Sequence, residues 1–292
     1  TAIFATGSTD ILTSKLLVMV WNSPGSHPDP ARDALWSATV ARADRCAFFF
    51  DFDGTLAPIQ DDPEAVQPVP GTATALAALA RAVPLVALIS ARPVHFLRER
   101  LPGLPEVAMF GLYGLESQLG TGPVRTHPDA ERHQPVMRDL ADLAGVELPD
   151  QIMVEYKRLS VALHYRTAPQ LRAEVERWAA AAAERLGLRA QAGRMVVELK
   201  PPGDRDKGSV VTEQTAGLAA AWYFGDDLAD LRAFAALDDR HRADPDFLGV
   251  RVAVTNSESG DALRPAADLC LDTPEQVPAL LAELVKAMPD RG

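Results

Sequence analysis

Short runs of consecutive apolar residues alternate with amphipathic stretches through the first third of the chain. Residues 46–50 read Cys-Ala-Phe-Phe-Phe, and residues 84–89 and 107–110 are apolar runs of the same kind. A run without alternation indicates a strand buried on both faces, as in a parallel sheet covered by helices. Residues 72–82 and 93–101 show helical patterns between these runs, so the chain predicts the βαβα order of a doubly wound α/β sheet.

The pattern changes after about residue 116. Three pairs of short strand-like segments follow, each joined too tightly for a crossover helix, which is typical of antiparallel hairpins. These hairpins are predicted at residues 116–126, 152–166 and 188–199, with helices at 129–145 and 169–186 between them. The sequence thus predicts an α+β block inserted into the α/β core.

The α/β pattern resumes after residues 201–203, which read Pro-Pro-Gly. Helices are predicted at residues 207–215, 228–237 and 274–288, and strands at 220–224, 250–254 and 269–271. The Pro- and Gly-rich residues 22–30 predict a linker, and a helix then runs from Asp29 and Pro30 to about Ala43. Residues 1–22 fit either a stray strand or a disordered leader.

These patterns divide the chain into four parts. They are a leader and linker at 1–30, a first core segment at 31–115, the inserted α+β block at 116–201, and a second core segment at 202–292.

The chain is acidic, and its charge limits the partners that we expect. Lys and Arg number 29 against 40 Asp and Glu, which gives a formal charge of −11. Such a surface repels nucleic-acid backbones and anionic membrane surfaces, so neither is an expected partner. A site for an anionic substrate must supply its own positive charge.

No apolar run approaches the roughly 18 residues of a membrane span, and the run at residues 16–21 lacks the flanking features of a signal peptide. The two cysteines, Cys46 and Cys270, cannot form a disulfide framework, and both lie in apolar runs. We therefore expect buried thiols in a reducing compartment, with the cytoplasm as the location.

Polar side chains follow three of the predicted strands at the point where each strand ends. Asp51 and Asp53 follow the first, Ser90 the second, and Asp226 and Asp227 the last strong one. One such residue alone is typical of a turn or a helix cap, but the carboxyl ends of parallel strands meet at the ligand crevice of a sheet. Clustered carboxylates repel one another unless a cation lies between them, and Mg²⁺ suits such oxygen ligands.

Residues 203–209 superficially echo a phosphate loop. The order is Lys-Gly rather than Gly-Lys, and no strand leads directly into them, so a nucleotide-binding P-loop is excluded.

Four segments stand in the order typical of the haloacid dehalogenase (HAD) superfamily, whose members are mostly phosphohydrolases. They are Asp51-Phe-Asp-Gly-Thr-Leu56, Ser90, Lys207, and Gly225-Asp-Asp227 with Asp230. The chain therefore resembles that superfamily, and the resemblance implies a HAD-like core. The insertion between Ser90 and Lys207 occupies the position of the superfamily's second type of cap domain.

The inserted block is similar to that of trehalose-6-phosphate phosphatases, and the resemblance covers roughly residues 47–240. The segments that carry it are Pro58-Ile59, Gly111-Leu-Tyr-Gly-Leu-Glu116, Val154-Glu-Tyr-Lys-Arg-Leu-Ser-Val-Ala-Leu-His-Tyr-Arg166, Val197-Glu-Leu-Lys-Pro201 and Asp206-Lys-Gly208. Three departures occur. Tyr113 stands where many members have His, Ala91 replaces Gly, and residues 226–231 lack the Thr and Glu that often accompany this motif.

The resemblance implies a phosphatase that hydrolyses trehalose 6-phosphate in trehalose biosynthesis through an aspartyl-phosphate. Asp51 would attack phosphorus, and Asp53 would protonate the departing sugar oxygen and then take a proton from water. Ser90 and Lys207 would hold the phosphoryl oxygens, where charge concentrates in the transition state.

The resemblance also implies a Mg²⁺ site. Asp51, Asp226 and the main-chain carbonyl of Asp53 would bind the ion, and Asp227 and Asp230 would support it or bind it through water.

For the sugar, the resemblance points to residues of the cap together with one of the core. They are Arg92, Lys157, His164, Arg166 and Glu198. Arg92 would otherwise anchor the cap or order the phosphate loop, and alternate residues such as His164 would otherwise form one half-exposed sheet face.

Three other functions stay open. One is a HAD phosphatase for another sugar or pseudo-disaccharide phosphate, to which the altered positions 113, 229 and 231 point. Another is a sugar phosphomutase, which would need a bisphosphate activator and a second phosphate site. The third is a non-catalytic phosphate-binding domain, which the presence of both Asp51 and Asp53 disfavours.

Overall fold

A computed structural model describes residues 19–21, 30–60, 62–193, 195–203, 205–255 and 263–289. The strands are β1 (Met19–Val20), β2 (Cys46–Phe50), β3 (Leu85–Ile89), β4 (Val107–Gly111), β5 (Glu116–Gln118), β6 (Arg125–Thr126), β7 (Met153–Tyr156), β8 (Val161–His164), β9 (Arg189–Gly193), β10 (Val196–Lys200), β11 (Ala220–Gly225), β12 (Leu248–Val254) and β13 (Leu269–Leu271). The α-helices are α1 (Pro30–Val40), α2 (Thr72–Ala82), α3 (Val94–Arg100), α4 (Pro128–Glu131), α5 (Gln134–Glu147), α6 (Arg172–Leu186), α7 (Lys207–Gln214), α8 (Leu231–Ala243) and α9 (Gln276–Ala287).

The core is a nine-stranded sheet in the order β1-β13-β12-β11-β2-β3-β4-β5-β6. In this order, every pair of neighbouring strands from β1 through β2 to β4 is parallel. Phe48 and Phe50 share an apolar cluster with α2 and α9, whereas Phe49 shares one with α7 and α8. Helices thus cover both faces of β2, which explains its continuous apolar sequence and confirms the predicted doubly wound α/β core.

A second sheet, in the order β7-β8-β10-β9, is antiparallel throughout and belongs to the inserted block. Leu163 of β8 and Leu199 of β10 pack in one apolar cluster with residues of α5 and α6. The residues that alternate with them, among them His164 and Glu198, lie on the opposite face. The cap, defined here as residues 128–200, therefore has an apolar side beneath its helices and a polar side.

The hairpin at residues 116–126 pairs with the large core sheet and not with the sheet of the inserted block. Sequence analysis places it in the inserted block, but β5 pairs with β4, with Gly111 opposite Glu116. The hairpin thus extends the large sheet in an antiparallel direction, because β4 offers a free edge that neighbouring residues of the chain can reach.

The other elements follow the predictions with small shifts at their ends. The helix predicted at 228–237 begins as a 3₁₀ helix at Leu228–Asp230 before α8 continues it. The segment at 129–145 divides into α4 and α5. Of the leader, the short strand β1 pairs with β13, and Trp21 is buried, while the predictions on residues 1–18 and 22–29 lie outside the described residues.

Among the residues that the structure describes, no helix combines the length and the apolar character that crossing a membrane requires.

Candidate active site

Three neighbouring strands end at the same edge of the core sheet. Asp51 follows β2, which lies between β3 and β11 in the sheet, and Ser90 and Asp226 follow those two strands. All three side chains are buried. The topology therefore brings together the polar residues that the sequence places at separate strand ends.

The loop after β2 depends on a glycine. Gly54 has φ +83°, and a Cβ atom at this position would collide with the carboxylate of Asp226. The Thr55 hydroxyl donates a hydrogen bond of 3.4 Å to Oδ1 of the same carboxylate. The Asp-Phe-Asp-Gly-Thr segment thus packs directly against the end of β11, which only a residue without a side chain permits.

Lys207 is the cation of this cluster. It is the first residue of α7, whose N-terminus is capped by reciprocal hydrogen bonds between Asp206 and Ser209. The Lys207 Nζ lies 2.8 Å from Asp51 Oδ1 and 2.7 Å from Asp230 Oδ1. Burial opposes its charge, but the attraction of Asp230 and Asp51 outweighs burial and raises the pKa of Lys207 well above its ordinary value.

Asp230 is fully hydrogen-bonded. Its Oδ1 accepts from Lys207 and from the Tyr223 hydroxyl at 2.6 Å, and its Oδ2 accepts from the main-chain N–H groups of Asp226 and Asp227 at 3.0 and 3.1 Å. This carboxylate therefore holds both the lysine and the loop after β11 in place.

Asp51, Asp226 and Asp230 form the group of side chains that could hold a metal ion. One carboxylate oxygen from each lies within 4.8 Å of the others, and all three residues are buried. Burial raises the pKa of Asp51 and of Asp226 well above the ordinary value, and neighbouring carboxylates add to the effect. A divalent cation would relieve this repulsion, and an all-oxygen donor set suits a hard ion.

The carboxylates of two further residues that are predicted at the metal site have partners in the protein. The Asp53 carboxylate makes two hydrogen bonds with the Arg92 guanidinium, at 2.8 and 2.9 Å. Asp227 Oδ1 accepts from the main-chain N–H of Ala229 at 2.8 Å. Burial and the nearby Asp230 raise the pKa of Asp227 to about 6.

Arg92 links Ser90 with Asp53. Its main-chain N–H donates to the Ser90 hydroxyl at 3.1 Å, and its guanidinium lies 4.4 Å from the centre of the Phe96 ring. The side chain is thus fixed beside both Ser90 and Asp53.

The polar side of the cap carries a buried carboxylate with three partners. Glu198 Oε1 accepts from the Ser160 hydroxyl at 2.8 Å and lies 3.5 Å from Lys157 Nζ, while Oε2 lies 3.5 Å from Lys200 Nζ. Burial alone would raise its pKa, but the two lysines outweigh burial and lower the pKa of Glu198 to about 2.

Glu155 extends this network along the cap sheet. Its Oε2 lies 2.8 Å from His164 Nε2 and 3.7 Å from Lys157 Nζ. Sequence analysis did not single out Glu155 or Lys200. Each lies two residues from a predicted site residue on the same strand or strand end, and alternate positions of a strand share a face, so that spacing was the available signal.

A cavity of about 270 Å³ lies between core and cap. Its lining includes Asp53, Arg92, Asp226 and Asp227 from the core and His164 and Arg166 from the cap. The arrangement combines the Asp51–Lys207 pair at the edge of the sheet, the Asp53 carboxylate held by Arg92, and the polar side of the cap.

Comparison with known proteins gives consistent matches. The model of the trehalose-phosphatase family matches residues 49–266. The trehalose-phosphate phosphatase of Mycobacterium marinum is 36% identical over 262 residues, which are 85% of this chain and 63% of that protein. That of Mycobacterium avium is 35% identical over 274 residues, 90% of this chain and 67% of that protein. The chain thus spans about two thirds of the length of these relatives.

Solved structures show the same fold. The C-terminal domain of trehalose-6-phosphate phosphatase from Candida albicans has a TM-score of 0.70 at 21% identity, over 91% of this chain and 99% of that one. A haloacid dehalogenase-like hydrolase from Bacteroides thetaiotaomicron has a TM-score of 0.55 at 16% identity, over 82% of this chain and all of that one. The predicted HAD-like architecture is therefore confirmed.

Proposed function

The chain belongs to the trehalose-phosphatase family, and from that premise we propose that it hydrolyses trehalose 6-phosphate to trehalose and inorganic phosphate. The observation that carries the proposal is the buried Asp51–Lys207 pair beside Asp226, because Asp226 itself lines the cavity between the core and the cap. An attacking carboxylate, a fixed positive charge and a surface for hydroxyl groups are what this reaction requires.

Asp51 acts as the nucleophile in the proposed reaction. Its carboxylate oxygen forms a bond to phosphorus while the bond from phosphorus to the sugar oxygen breaks. Asp53 gives a proton to that oxygen, so trehalose leaves as an alcohol. Asp53 then takes a proton from water, whose oxygen attacks phosphorus, and the Asp51 carboxylate is regenerated as phosphate departs.

Lys207 and Ser90 bind the phosphoryl oxygens. The Lys207 ammonium is 2.8 Å from Asp51, so a phosphoryl group that meets this carboxylate also meets the ammonium. Charge on these oxygens is largest in the transition state, where a fixed cation contributes most. The side chain supplies the positive charge that an acidic chain needs at this place.

Asp51 and Asp226 are proposed to hold Mg²⁺, with the main-chain carbonyl of Asp53, while Asp227 and Asp230 support them. When bound, the ion offsets the repulsion between a carboxylate nucleophile and a phosphate dianion. The hydrogen bonds of Asp230 to Lys207, Tyr223 and the loop after β11 suit it to a supporting role.

Arg92 orients the acid. Its two hydrogen bonds hold the Asp53 carboxylate at the rim of the cavity. Fixing this carboxylate ahead of binding contributes to the rate because less order must be created in the transition state.

The cap is proposed to bind the sugar through Lys157, His164, Arg166 and Glu198. Glu198 and Lys157 are buried in a charged network, while His164 and Arg166 line the cavity. Their protein partners hold these charged groups in place before the sugar binds, so less order must be created on binding. Cys46 and Cys270 are both buried and are not joined in a disulfide, which supports a reducing compartment such as the cytoplasm.

A second candidate is the same reaction on another sugar or pseudo-disaccharide phosphate. The observation that favours it is Tyr113, which stands at the boundary of core and cap and lies against Lys200. A residue at that boundary bears on which sugar the cap accepts.

The test is phosphate release from trehalose 6-phosphate, glucose 6-phosphate and p-nitrophenyl phosphate, with Mg²⁺ or with EDTA. We expect preference for trehalose 6-phosphate and loss of activity in EDTA that Mg²⁺ restores. Preference for another sugar phosphate would establish the second candidate. No release from any substrate would contradict both.

A further inference from the structure

One contact joins the core to the cap beside the proposed sugar site. The Lys200 Nζ, at the end of β10, lies 3.2 Å from the centre of the Tyr113 ring, which belongs to the core. The same ammonium donates to Gln191 Oε1 at 2.9 Å and pairs with Glu198 at 3.5 Å. The Lys200 ammonium thus has three partners: Gln191 on the cap strand β9, Glu198, and the face of the Tyr113 ring in the core.

Tyr113 is held rigidly by the core. It lies in the 3₁₀ helix Leu112–Gly114 with φ 58° and ψ 30°, a left-handed conformation that a side-chain-bearing residue rarely adopts. Its main-chain N–H donates to the Ser90 carbonyl at 2.9 Å, and the following Gly114 carbonyl accepts from Arg205 at 2.6 Å. The main chain at Tyr113 is therefore fixed relative to the loop that is proposed to bind phosphate.

We propose that Tyr113 and Lys200 are positioning residues for the proposed reaction: the Tyr113 ring holds the Lys200 ammonium, and through it the Glu198 carboxylate, in register with the core site. The inference rests on the proposed function for its activity test. A cation on an aromatic face is attracted by the ring quadrupole, and the attraction grows when the pair is removed from water. Lys200 is 8% exposed, so this condition is met.

A role of Lys200 in stability has to be separated from a role in positioning. Burial lowers the pKa of Lys200 to about 8, although Glu198 opposes the effect. Removing one partner of a buried ion pair destabilises a fold, so Lys200→Met is expected to lower stability in either case. A merely structural role predicts equal losses of activity on a large and a small substrate, whereas a positioning role predicts a loss confined to the substrate that the cap binds.

The experiment compares kcat and KM of five single variants, and of the double variant Tyr113→Leu with Lys200→Met, on trehalose 6-phosphate and on p-nitrophenyl phosphate. Lys200→Met removes the charge, and Lys200→Arg keeps it. Tyr113→Leu removes the ring, and Tyr113→Phe keeps the ring without its hydroxyl. Lys286→Met, at an exposed lysine of α9, is the matched control.

We expect Lys200→Met and Tyr113→Leu each to lower kcat/KM on trehalose 6-phosphate about three- to thirtyfold. The double variant should lose no more than either single one, because both break the same contact. Tyr113→Phe, Lys200→Arg and Lys286→Met should stay within about twofold of the parent. Activity on p-nitrophenyl phosphate should change less than about twofold in every variant, because that substrate makes no use of the cap.

Three kinetic results would overturn the proposal. Equal losses on both substrates would mean that the pair supports the core site or the fold. Losses that add in the double variant would mean that the two residues act independently. A loss in Tyr113→Phe as large as in Tyr113→Leu would assign the effect to the hydroxyl rather than the ring.

Hydrogen exchange separates this inference from the proposed function, since it needs no substrate. Amides of residues 197–203 in the parent should exchange more slowly than in Lys200→Met, and as fast as in Lys286→Met. Unchanged exchange in Lys200→Met would overturn the inference even if trehalose 6-phosphate is hydrolysed. A parent protein inactive on that substrate would instead contradict the proposed function and leave the exchange result standing.

Discussion

The charged clusters of the core and of the cap both combine carboxylates with lysines, but in different proportions. In the core, Asp51, Asp226, Asp227 and Asp230 surround one ammonium, that of Lys207. In the cap, the two carboxylates Glu155 and Glu198 have two lysines and a histidine as partners. Those partners are Lys157, Lys200 and His164.

The pKa values of two equally buried carboxyls show the consequence. Asp226 is 3% exposed and Glu198 is 5% exposed. Burial and the neighbouring Asp51 raise the pKa of Asp226, whereas Lys157 and Lys200 overcome burial and lower the pKa of Glu198 to about 2. The core cluster has one lysine for four carboxylates, whereas the cap cluster has two lysines for two carboxylates. A core cluster of this kind suits a metal and an anion together, while the cap suits neutral hydroxyl groups.

The largest effect should come from the nucleophile of the core cluster. Asp51→Asn replaces a carboxylate by an amide of nearly the same shape, which is a poor nucleophile, so activity should fall by more than about a hundredfold. Phosphate release from trehalose 6-phosphate measures it, with Asp139→Asn, an exposed residue of α5, as the control. The unfolding transition of Asp51→Asn should stay close to that of the parent. Residual activity above about a hundredth of the parent's would remove Asp51 from the role of nucleophile.

The next effect concerns the acid that Arg92 holds. Asp53→Asn should lower kcat on trehalose 6-phosphate by about 10²–10⁴-fold, because a sugar alkoxide leaves poorly without a proton. The loss on p-nitrophenyl phosphate should be smaller, since p-nitrophenolate leaves readily. Near-normal turnover of trehalose 6-phosphate would show that another group is the acid.

A selective and smaller effect should come from the cap cluster. Glu198→Ala removes a charged hydrogen-bonding group and should lower kcat/KM on trehalose 6-phosphate about ten- to hundredfold. The loss on p-nitrophenyl phosphate should be much smaller, because binding energy from remote hydroxyls is available only to a substrate that carries them. Glu198→Gln keeps the shape and serves as the matched variant. Equal losses on both substrates would assign Glu198 to the fold or the metal, and no loss would make it a bystander.

The smallest effect is one of stability and follows from the lowered pKa of Glu198. The ordinary pKa of a glutamate is 4.5, and the pKa of Glu198 in the folded protein is about 2. A lowered carboxyl pKa stabilises the fold above pH 4.5, and this contribution disappears as the pH falls through 2. The free energy of urea unfolding of the parent minus that of Glu198→Gln should therefore decrease between pH 4.5 and 2. A difference independent of pH would show that the lysines do not stabilise the ionised group.

Local sequence patterns were sufficient to predict the core and much of the site. The run Cys46–Phe50 predicts a strand with both faces buried, and the Asp that follows it lies at the only edge where ligands meet such a sheet. The sequence does not predict that the hairpin at 116–126 pairs with β4, because strand pairing depends on which edge is free in three dimensions.

The sequence also does not predict that Asp227 and Asp230 occupy different positions in the site. Both follow β11 within a few residues, yet Asp230 lies in the carboxylate group and Asp227 caps a turn. Their difference arises from a 3₁₀ turn at Leu228–Asp230 that brings Asp230 back towards Lys207. The contact of Tyr113 with Lys200 joins elements far apart in sequence, so no local spacing could indicate it.

The position of β2 in the sheet also fixes an order of events during synthesis. Its neighbours are β3, which follows soon along the chain, and β11, which emerges only after the whole cap. The cap strands, in contrast, pair only with one another, and all of them lie within residues 153–200. Every strand of the cap sheet is therefore synthesised before β11, so β2 obtains its second neighbour only after the cap sheet has all of its strands.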